Sequence, residues 1–134
     1  MHAIADTGYL VALLRLDDEH HRWAKGLAGT FKLPLLTCEA VLAESAFHLK
    51  SSTHLLEMLK RGVIRVAFDC SSQIGPLHDL ATRYEDRHPD LADLCLIRMS
   101  ELYPRHLVIT VDESDFRIYR RNKREVIPTL CPPN

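Results

Sequence analysis

The fold is decided by the stretch Ala3-Ile4-Ala5-Asp6, a short apolar run that ends on an aspartate. The same pattern recurs near the other end of the chain, where Leu107-Val108-Ile109-Thr110-Val111 leads into Asp112. If both runs are strands of one parallel sheet, their aspartates emerge at the same carboxyl edge, where open α/β sheets hold their ligands. The pattern therefore predicts an acidic site at one edge of a parallel sheet.

Strands and helices alternate along the rest of the chain. The predicted strands lie at 1–5, 32–36, 63–68 and 107–111, with a last extended piece at 117–119 and 126–127. The predicted helices lie at 9–16, 19–27, 38–50, 52–61, 72–87 and 91–102. Such alternation is typical of an α/β domain, with a mainly parallel sheet flanked by helices on both faces.

Local signals mark several helix ends. Thr37 is the predicted N-cap of the helix at 38–50. Gly62 follows the next helix, at the position where a residue in the left-handed region commonly ends a helix. Pro76 is tolerable only in the first turn of its helix, because proline has no backbone N–H to donate.

The bulk composition is that of a globular domain. At 134 residues, of which 46% are hydrophobic and 26% charged, the chain has the size and balance of one domain spanning 1–134. No apolar run approaches the roughly 20 residues needed to span a bilayer, and no basic leader precedes the first strand. The sequence predicts a cytoplasmic protein that does not associate with membranes.

The cysteines and histidines do not have the spacing of a zinc site. The four cysteines, Cys38, Cys70, Cys95 and Cys131, lie far apart with no CxxC or CxxH pair. The eight histidines are scattered, and His20 and His21 point to different faces of a helix. We expect reduced, mostly buried thiols.

Glu44 is an acidic candidate because of its neighbours. On a helix its partners three and four positions away are Ala40, Val41, Phe47 and His48, so no lysine or arginine can pair with it. Burying a carboxylate there is costly unless a cation or hydrogen-bond donors meet it. The alternative is that Glu44 faces water at the margin of the apolar stripe.

Asp90 and Asp93 can each be either part of a helix cap or a metal ligand. Asp90 with Asp93 three positions later resembles a capping box, which requires no chemistry. Asp93 precedes the apolar run 94–97, which predicts a buried helix with this carboxylate at the mouth of the core. Asp93 is therefore the better ligand candidate, while Asp115 is left as either a helix cap or a supporting group.

Asp6, Glu44, Asp93 and Asp112 together would form a site for a hard cation. Oxygen-only clusters select Mg²⁺ or Mn²⁺ over zinc, and two such ions can promote an in-line displacement at phosphorus. Asp6 alone also fits the role of a helix cap. Next to it, the Thr7 hydroxyl can orient a carboxylate or contact a phosphate. The sequence predicts a metal-dependent nuclease.

The segment after Asp112 carries a local excess of positive charge. Five cations stand against the single acid Glu125: Arg117, Arg120, Arg121, Lys123 and Arg124. This excess can attract the phosphates of a nucleic acid, although the net charge of −1 gives no overall attraction. The competing interpretation is a solvated edge strand that its charges protect from pairing.

Four stretches resemble the PIN-domain ribonucleases, especially the small single-domain VapC-like toxins, in the order of that family. They are ADTGYLVALL at 5–14, LTCEAVLAE at 36–44, DLADLCLI at 90–97 and ITVDESDF at 109–116. Leu94 departs from the alanine that many relatives have there, a change that concerns helix packing more than chemistry.

The resemblance implies a parallel sheet flanked by helices, with Asp6, Glu44, Asp93 and Asp112 around one or two Mg²⁺ or Mn²⁺ ions. It also implies hydrolysis of single-stranded or loop RNA, a homodimer, and a cognate antitoxin. The basic segment is not a catalytic element of that family. An RNA-binding role for Arg117 and Arg120 therefore rests on their charge.

Two other functions fit parts of this pattern. A non-catalytic RNA-binding scaffold with the PIN fold would need no metal, although the presence of all four acids argues against it. A receiver-like phosphoacceptor also clusters aspartates at strand ends. That class would have a lysine after a late strand, and Leu107 to Glu113 contains none.

Overall fold

The computed structural model describes residues 1–133 and contains a five-stranded parallel sheet. Its strands are β1 (Ala3–Ala5), β2 (Leu35–Thr37), β3 (Ile64–Val66), β4 (Leu107–Ile109) and β7 (Thr129–Leu130). Two further short strands, β5 (Arg120–Arg121) and β6 (Glu125–Val126), pair as a separate antiparallel hairpin.

Seven α-helices accompany the sheet in the described part of the chain. They are α1 (Thr7–Leu14), α2 (His21–Leu27), α3 (Glu39–Leu49), α4 (Thr53–Lys60), α5 (Ile74–Arg83), α6 (Leu91–Leu102) and α7 (Glu113–Phe116). Short 3₁₀ turns lie at Ala28–Thr30, Cys70–Gln73 and Glu85–Arg87. None of the helices in residues 1–133 combines the length and apolarity that crossing a membrane requires.

The sheet is covered on both faces. All three residues of β1 and all three of β2 are buried, and successive residues of a strand point to opposite faces. This all-buried pattern is the one expected when helices pack above and below a parallel sheet. The predicted fold class, α/β with a mainly parallel sheet flanked by helices, is confirmed.

The strand order is β3-β2-β1-β4-β7, which puts β1 at the centre of the sheet. The chain moves outward from β1 through β2 to β3, and then returns to place β4 on the other side of β1. Ligands of open α/β sheets bind at the carboxyl edge where this direction reverses. The order also differs from the 2-1-3-4-5 order of receiver-like domains.

The structure corrects the predicted N-cap of α3. Thr37 ends β2, and its buried hydroxyl donates to the carbonyl oxygen of Ala5 at 3.2 Å, so it links β2 to β1. The N-cap is Cys38. By contrast, α6 has the predicted bounds, and Gly62 has the predicted left-handed backbone, with φ of 75°.

The predicted helix at 72–87 is divided into three parts. Pro76 is the third residue of α5 and cannot donate to the residue four positions earlier, so the α-helix does not extend back through Ser72. Asp69 instead caps a 3₁₀ turn by accepting from the backbone N–H of Ser71 at 3.2 Å. At the other end, α5 stops at Arg83 and a second 3₁₀ turn follows.

The predicted extended piece at 117–119 is wrong. The backbone N–H of Arg117 donates to the Glu113 carbonyl and that of Tyr119 to the Asp115 carbonyl, so the chain continues as helical turns after α7. The sequence prediction also missed β7, which pairs with β4 through Thr129 and Leu130. Two residues next to a proline carry too little pattern to identify a strand.

Candidate metal centre

Asp6 is held in place by two short hydrogen bonds. It follows β1 directly and forms the N-cap of α1, where its Oδ1 accepts from the backbone N–H of Thr7 at 2.6 Å. Its Oδ2 accepts from the hydroxyl of Thr110 at 2.6 Å. The side chain is buried, and both oxygens are therefore oriented before any ligand binds.

Thr110 connects Asp6 with Asp112. Its buried hydroxyl donates to Asp6 and accepts from the backbone N–H of Asp112 at 3.0 Å. A single side chain thus sets the orientation of one acid and the backbone position of the other. Sequence reasoning did not assign Thr110 a role, although a hydroxyl in an apolar strand before an aspartate was a signal for one.

Asp93, Asp112 and Asp115 form a compact group of carboxylates. One oxygen of each lies within 4.8 Å of the others, which is close enough for one cation to be shared. Asp112 is the N-cap of α7 and accepts from the backbone N–H of Asp115 at 3.4 Å. Asp115, which the sequence left as a cap or supporting group, therefore lies inside the acidic cluster.

Burial and mutual repulsion raise the pKa values of these acids. Burial, with smaller contributions from the charges of Glu44 and Asp112, raises the pKa of Asp6 to about 6. Burial also raises the pKa of Asp93 to about 7, with the charges of Asp90 and Asp6 acting in the same direction. The pKa of Asp112 is raised by burial too. A bound cation would relieve this repulsion, so the donor set fits a hard divalent ion.

Tyr119 orients the carboxylate of Asp93 through a hydrogen bond. Its hydroxyl donates to Asp93 Oδ2 at 3.2 Å, and its buried ring packs edge-on against Tyr84 and Phe116. Burial and the charge of Asp93 both raise the pKa of the Tyr119 hydroxyl, so it stays a donor. Nothing in the sequence pattern pointed to Tyr119, which lies 26 residues after its partner.

The cavity that holds the acidic site has a volume of about 430 Å³. It is lined by Asp6, Asp93, Asp112 and Asp115. Glu44 of α3 reaches the same cavity and is partly exposed. The cavity is also lined by basic side chains that sequence reasoning did not single out: His48, Arg87 and His88. Thr7 also lines the cavity, and its buried Oγ1 has no hydrogen-bond partner within residues 1–133.

Asp90 and the basic segment lie outside the acidic cluster. Asp90 is exposed and accepts from the backbone N–H of Asp93 at 2.9 Å, which is the geometry of an N-cap. Arg117 pairs with Glu113 at 2.7 Å. The Arg120 guanidinium donates to the carbonyl oxygen of Arg117 at 2.6 Å. Neither arginine is among the residues that line the cavity.

Comparison with solved structures gives a match to this arrangement of strands and helices. The crystal structure of VapC20 from Mycobacterium tuberculosis, a PIN-domain toxin that cleaves the sarcin-ricin loop, superposes with a TM-score of 0.70. The match covers 79% of this chain and 86% of VapC20, at 17% sequence identity. The chain has the PIN-domain fold.

At that level of identity the match establishes the PIN fold alone. No protein-family model and no curated protein sequence matches the chain.

Proposed function

We propose that this chain is a Mg²⁺- or Mn²⁺-dependent endoribonuclease that hydrolyses phosphodiester bonds of single-stranded or loop RNA. The observation that carries the proposal is the carboxylate cluster of Asp93, Asp112 and Asp115 beside buried Asp6, at the carboxyl edge of a PIN-type sheet. Concentrated negative charge is unfavourable without a cation, and oxygen donors select the hard divalent ions.

In this proposal Asp6, Asp93 and Asp112 hold the metal, and Asp115 is available as a further oxygen donor. The metal, when bound, supplies charge neutralisation at the scissile phosphate and polarisation of the attacking water. Thr110 and Tyr119 keep two of the carboxylates oriented, as their hydrogen bonds to Asp6 and Asp93 indicate. Because these carboxylates are already oriented, the site needs less rearrangement when the transition state forms.

Glu44 and Thr7 are proposed to act on the reactants. Glu44 accepts a hydrogen bond from the attacking water and aligns it with the scissile bond. Thr7 lines the cavity, and its buried Oγ1 has no hydrogen-bond partner within residues 1–133, which leaves this hydroxyl as the proposed donor to a phosphate oxygen. Its position at the first turn of α1 adds the favourable end of the helix dipole.

The biological setting we propose follows from the VapC20 likeness. The chain would be the toxin of a toxin–antitoxin pair, acting in the cytoplasm as a homodimer and restrained by a cognate antitoxin. VapC20 cleaves the sarcin-ricin loop, and a structured RNA loop is accordingly the first substrate to test.

The proposed function is tested by incubating the purified chain with a hairpin RNA that carries a sarcin-ricin-type loop. We expect endonucleolytic products with Mn²⁺ or Mg²⁺ and none in excess EDTA, and sequencing of the new ends locates the cut. A matched fully paired RNA should remain intact. Binding of the hairpin without cleavage under all metal conditions would favour the non-catalytic scaffold instead.

Substitution of Asp90 separates helix capping from metal binding. Serine caps a helix about as well as aspartate, so Asp90→Ser should retain most of the RNA cleavage. Asp93→Ser removes a proposed ligand and should lose the activity. Initial rates at one Mn²⁺ concentration compare the two variants. An equal loss in both would identify Asp90 as a ligand.

The basic segment is proposed to guide RNA through its phosphates. Arg121 has a structural role, because its guanidinium donates to the carbonyl oxygens of Ser100 at 3.1 Å and Pro104 at 3.2 Å. Lys123 and Arg124 are exposed and form no ion pair within residues 1–133. They are therefore the cations to neutralise without disturbing the fold.

The variant Lys123→Gln/Arg124→Gln should bind all RNA sequences more weakly. The slope of log affinity against log salt should flatten by about 1.4, since each phosphate contact on a single strand releases about 0.7 of a counterion. The cleavage site should not move. If these charges only protect the β5–β6 hairpin, light scattering should show association while the salt slope stays unchanged.

A further inference from the structure

Basic side chains share the cavity of the acidic site, and the proposed function leaves them without a role. They are His48 of α3, four positions after Glu44, and Arg87 and His88 of the turn between α5 and α6. Histidine is cationic only when it is protonated, whereas arginine keeps its charge at any pH that a protein tolerates. Among the described residues that line the cavity, Arg87 is therefore the one with a permanent positive charge.

The backbone at Arg87 forms a hydrogen-bonded turn. Its N–H donates to the carbonyl oxygen of Tyr84 at 2.9 Å, and the N–H of His88 donates to that of Glu85 at 3.2 Å. His88 has a left-handed backbone, with φ of 51°, and Pro89 follows with its restricted φ. Residues other than glycine rarely adopt this conformation, and such positions are frequent at ligand sites. The turn keeps Arg87 at the wall of the cavity, just before α6 begins.

The Arg87 guanidinium is available to a ligand. Arg87 is exposed and forms no ion pair within residues 1–133, although Asp90 and the clustered acids line the same cavity. In the basic segment, by contrast, Arg117 pairs with Glu113, and Arg121 donates to backbone carbonyl oxygens. Arg87 is thus an unpaired cation at the acidic site itself, and it comes from outside the basic segment.

An RNA strand that enters this cavity brings more than one phosphate. A bound metal neutralises the scissile phosphate, but each neighbouring phosphate is still repelled by the acids of the cavity. A cavity of about 430 Å³ has the size of a site for one small ligand, so a residue on its wall is within reach of the nucleotide next to the cut. Guanidinium groups bind phosphate with two parallel hydrogen bonds, which suits Arg87 to this role.

We propose that Arg87 binds the phosphate adjacent to the scissile one and so holds the RNA strand across the acidic site. The inference rests on the proposed ribonuclease function and deepens it, because it assigns recognition of the strand at the cut to the turn between α5 and α6. An adjacent phosphate keeps its charge throughout the reaction, so the contact is equally strong in the ground state and in the transition state. It therefore lowers KM and leaves kcat nearly unchanged.

The first test of Arg87→Gln is RNA binding, measured by fluorescence anisotropy in EDTA and in the Asp93→Asn protein, so that no cleavage takes place. We expect the affinity for a single-stranded oligonucleotide to fall about tenfold, as for the loss of a hydrogen bond between charged groups. The slope of log affinity against log salt should flatten by about 0.7. Arg87→Lys keeps the charge but not the paired hydrogen bonds, so it should retain the salt slope and only part of the affinity.

Arg105→Gln is the matched control. Arg105 is exposed, forms no ion pair within residues 1–133, and precedes β4, whereas Asp112 follows that strand. The substitution removes the same charge at the opposite edge of the sheet, so RNA affinity should not change. If Arg87→Gln binds RNA as tightly as Arg105→Gln does, the inference is wrong even where the wild type cleaves RNA. Absence of cleavage by the wild type would refute the proposed function, and with it the scissile site on which the inference depends.

Two further measurements locate the contact. In cleavage assays, Arg87→Gln should raise KM about tenfold and leave kcat nearly unchanged. A neutral methylphosphonate in place of one of the two phosphates beside the mapped cut should weaken binding by the wild type and have little further effect on Arg87→Gln, because both changes remove the same contact. A fall in kcat at unchanged KM, or methylphosphonate effects of equal size in both proteins at both positions, would overturn the assignment.

Discussion

Asp93→Asn is expected to abolish metal-dependent RNA cleavage while the fold is retained. Asparagine keeps the shape of the side chain and an oxygen that accepts from Tyr119, but it removes the charge that binds the cation. We expect a loss of at least about 100-fold in the cleavage rate, as for removal of a metal ligand or its support. Exposed Asp79 on α5 provides the control, and Asp79→Asn should cleave at the wild-type rate.

The same substitution should stabilise the metal-free protein at alkaline pH. The pKa of Asp93 is raised from 3.8 to about 7 in the folded chain, so ionisation disfavours the folded state. The penalty is absent below pH about 4, grows as the pH rises toward 7, and is complete above it. In EDTA, Asp93→Asn should therefore gain about 1 kcal/mol at pH 8, a value reduced for its partial exposure, and nothing at pH 4.

Thermal unfolding in EDTA at the two pH values measures this gain. Wild-type cleavage by Asp93→Asn, or full activity of the wild type in excess EDTA, would contradict the proposed metal centre. If cleavage is lost while the stability at pH 8 does not rise, Asp93 would be a ligand whose charge is not disfavoured in the folded chain.

Gly8→Ala is expected to cause the largest loss of stability among conservative substitutions near the site. A methyl group at Gly8 would overlap the Cγ2 atom of Val111, which lies between β4 and Asp112. Gly8 is inside α1 without a positive φ, so helix propensity alone would favour alanine. We expect the overlap to dominate and to lower the free energy of unfolding by about 2 kcal/mol.

A double-mutant cycle identifies the cause. Val111→Ala removes the overlapping methyl group. Gly8→Ala should therefore lower the free energy of unfolding much less in the Val111→Ala protein than in the wild type, and this difference is the coupling energy between the two positions. Gly26→Ala in α2 is the matched control, because nothing lies within 4 Å of the added methyl group. Gly26→Ala should leave the free energy of unfolding unchanged or raise it by up to about 1 kcal/mol. A Gly8→Ala protein as stable as the wild type would show that Val111 moves aside freely.

Much of the fold followed from local pattern. Apolar runs that end on aspartates predicted parallel strands with acids at one edge, and the sheet has that arrangement at β1 and β4. The helix at 91–102 had the right bounds because Asp90 caps it and Pro104 follows it. The errors fell where local signals were short or ambiguous. Thr37 has the residue type of a helix cap, but its hydroxyl bonds to the neighbouring strand.

The sequence by itself determined that Asp6 and Asp112 follow strands and that Asp90 caps a helix, since periodicity and capping act over a few neighbouring positions. It thereby brought Asp6, Glu44, Asp93 and Asp112 forward as candidates. Only the tertiary structure decided how they are held. Thr110 bonds to Asp6 across 104 positions and Tyr119 to Asp93 across 26, while Asp115 joins the cluster. Such contacts depend on how distant elements pack, and no local pattern in the chain encodes that packing.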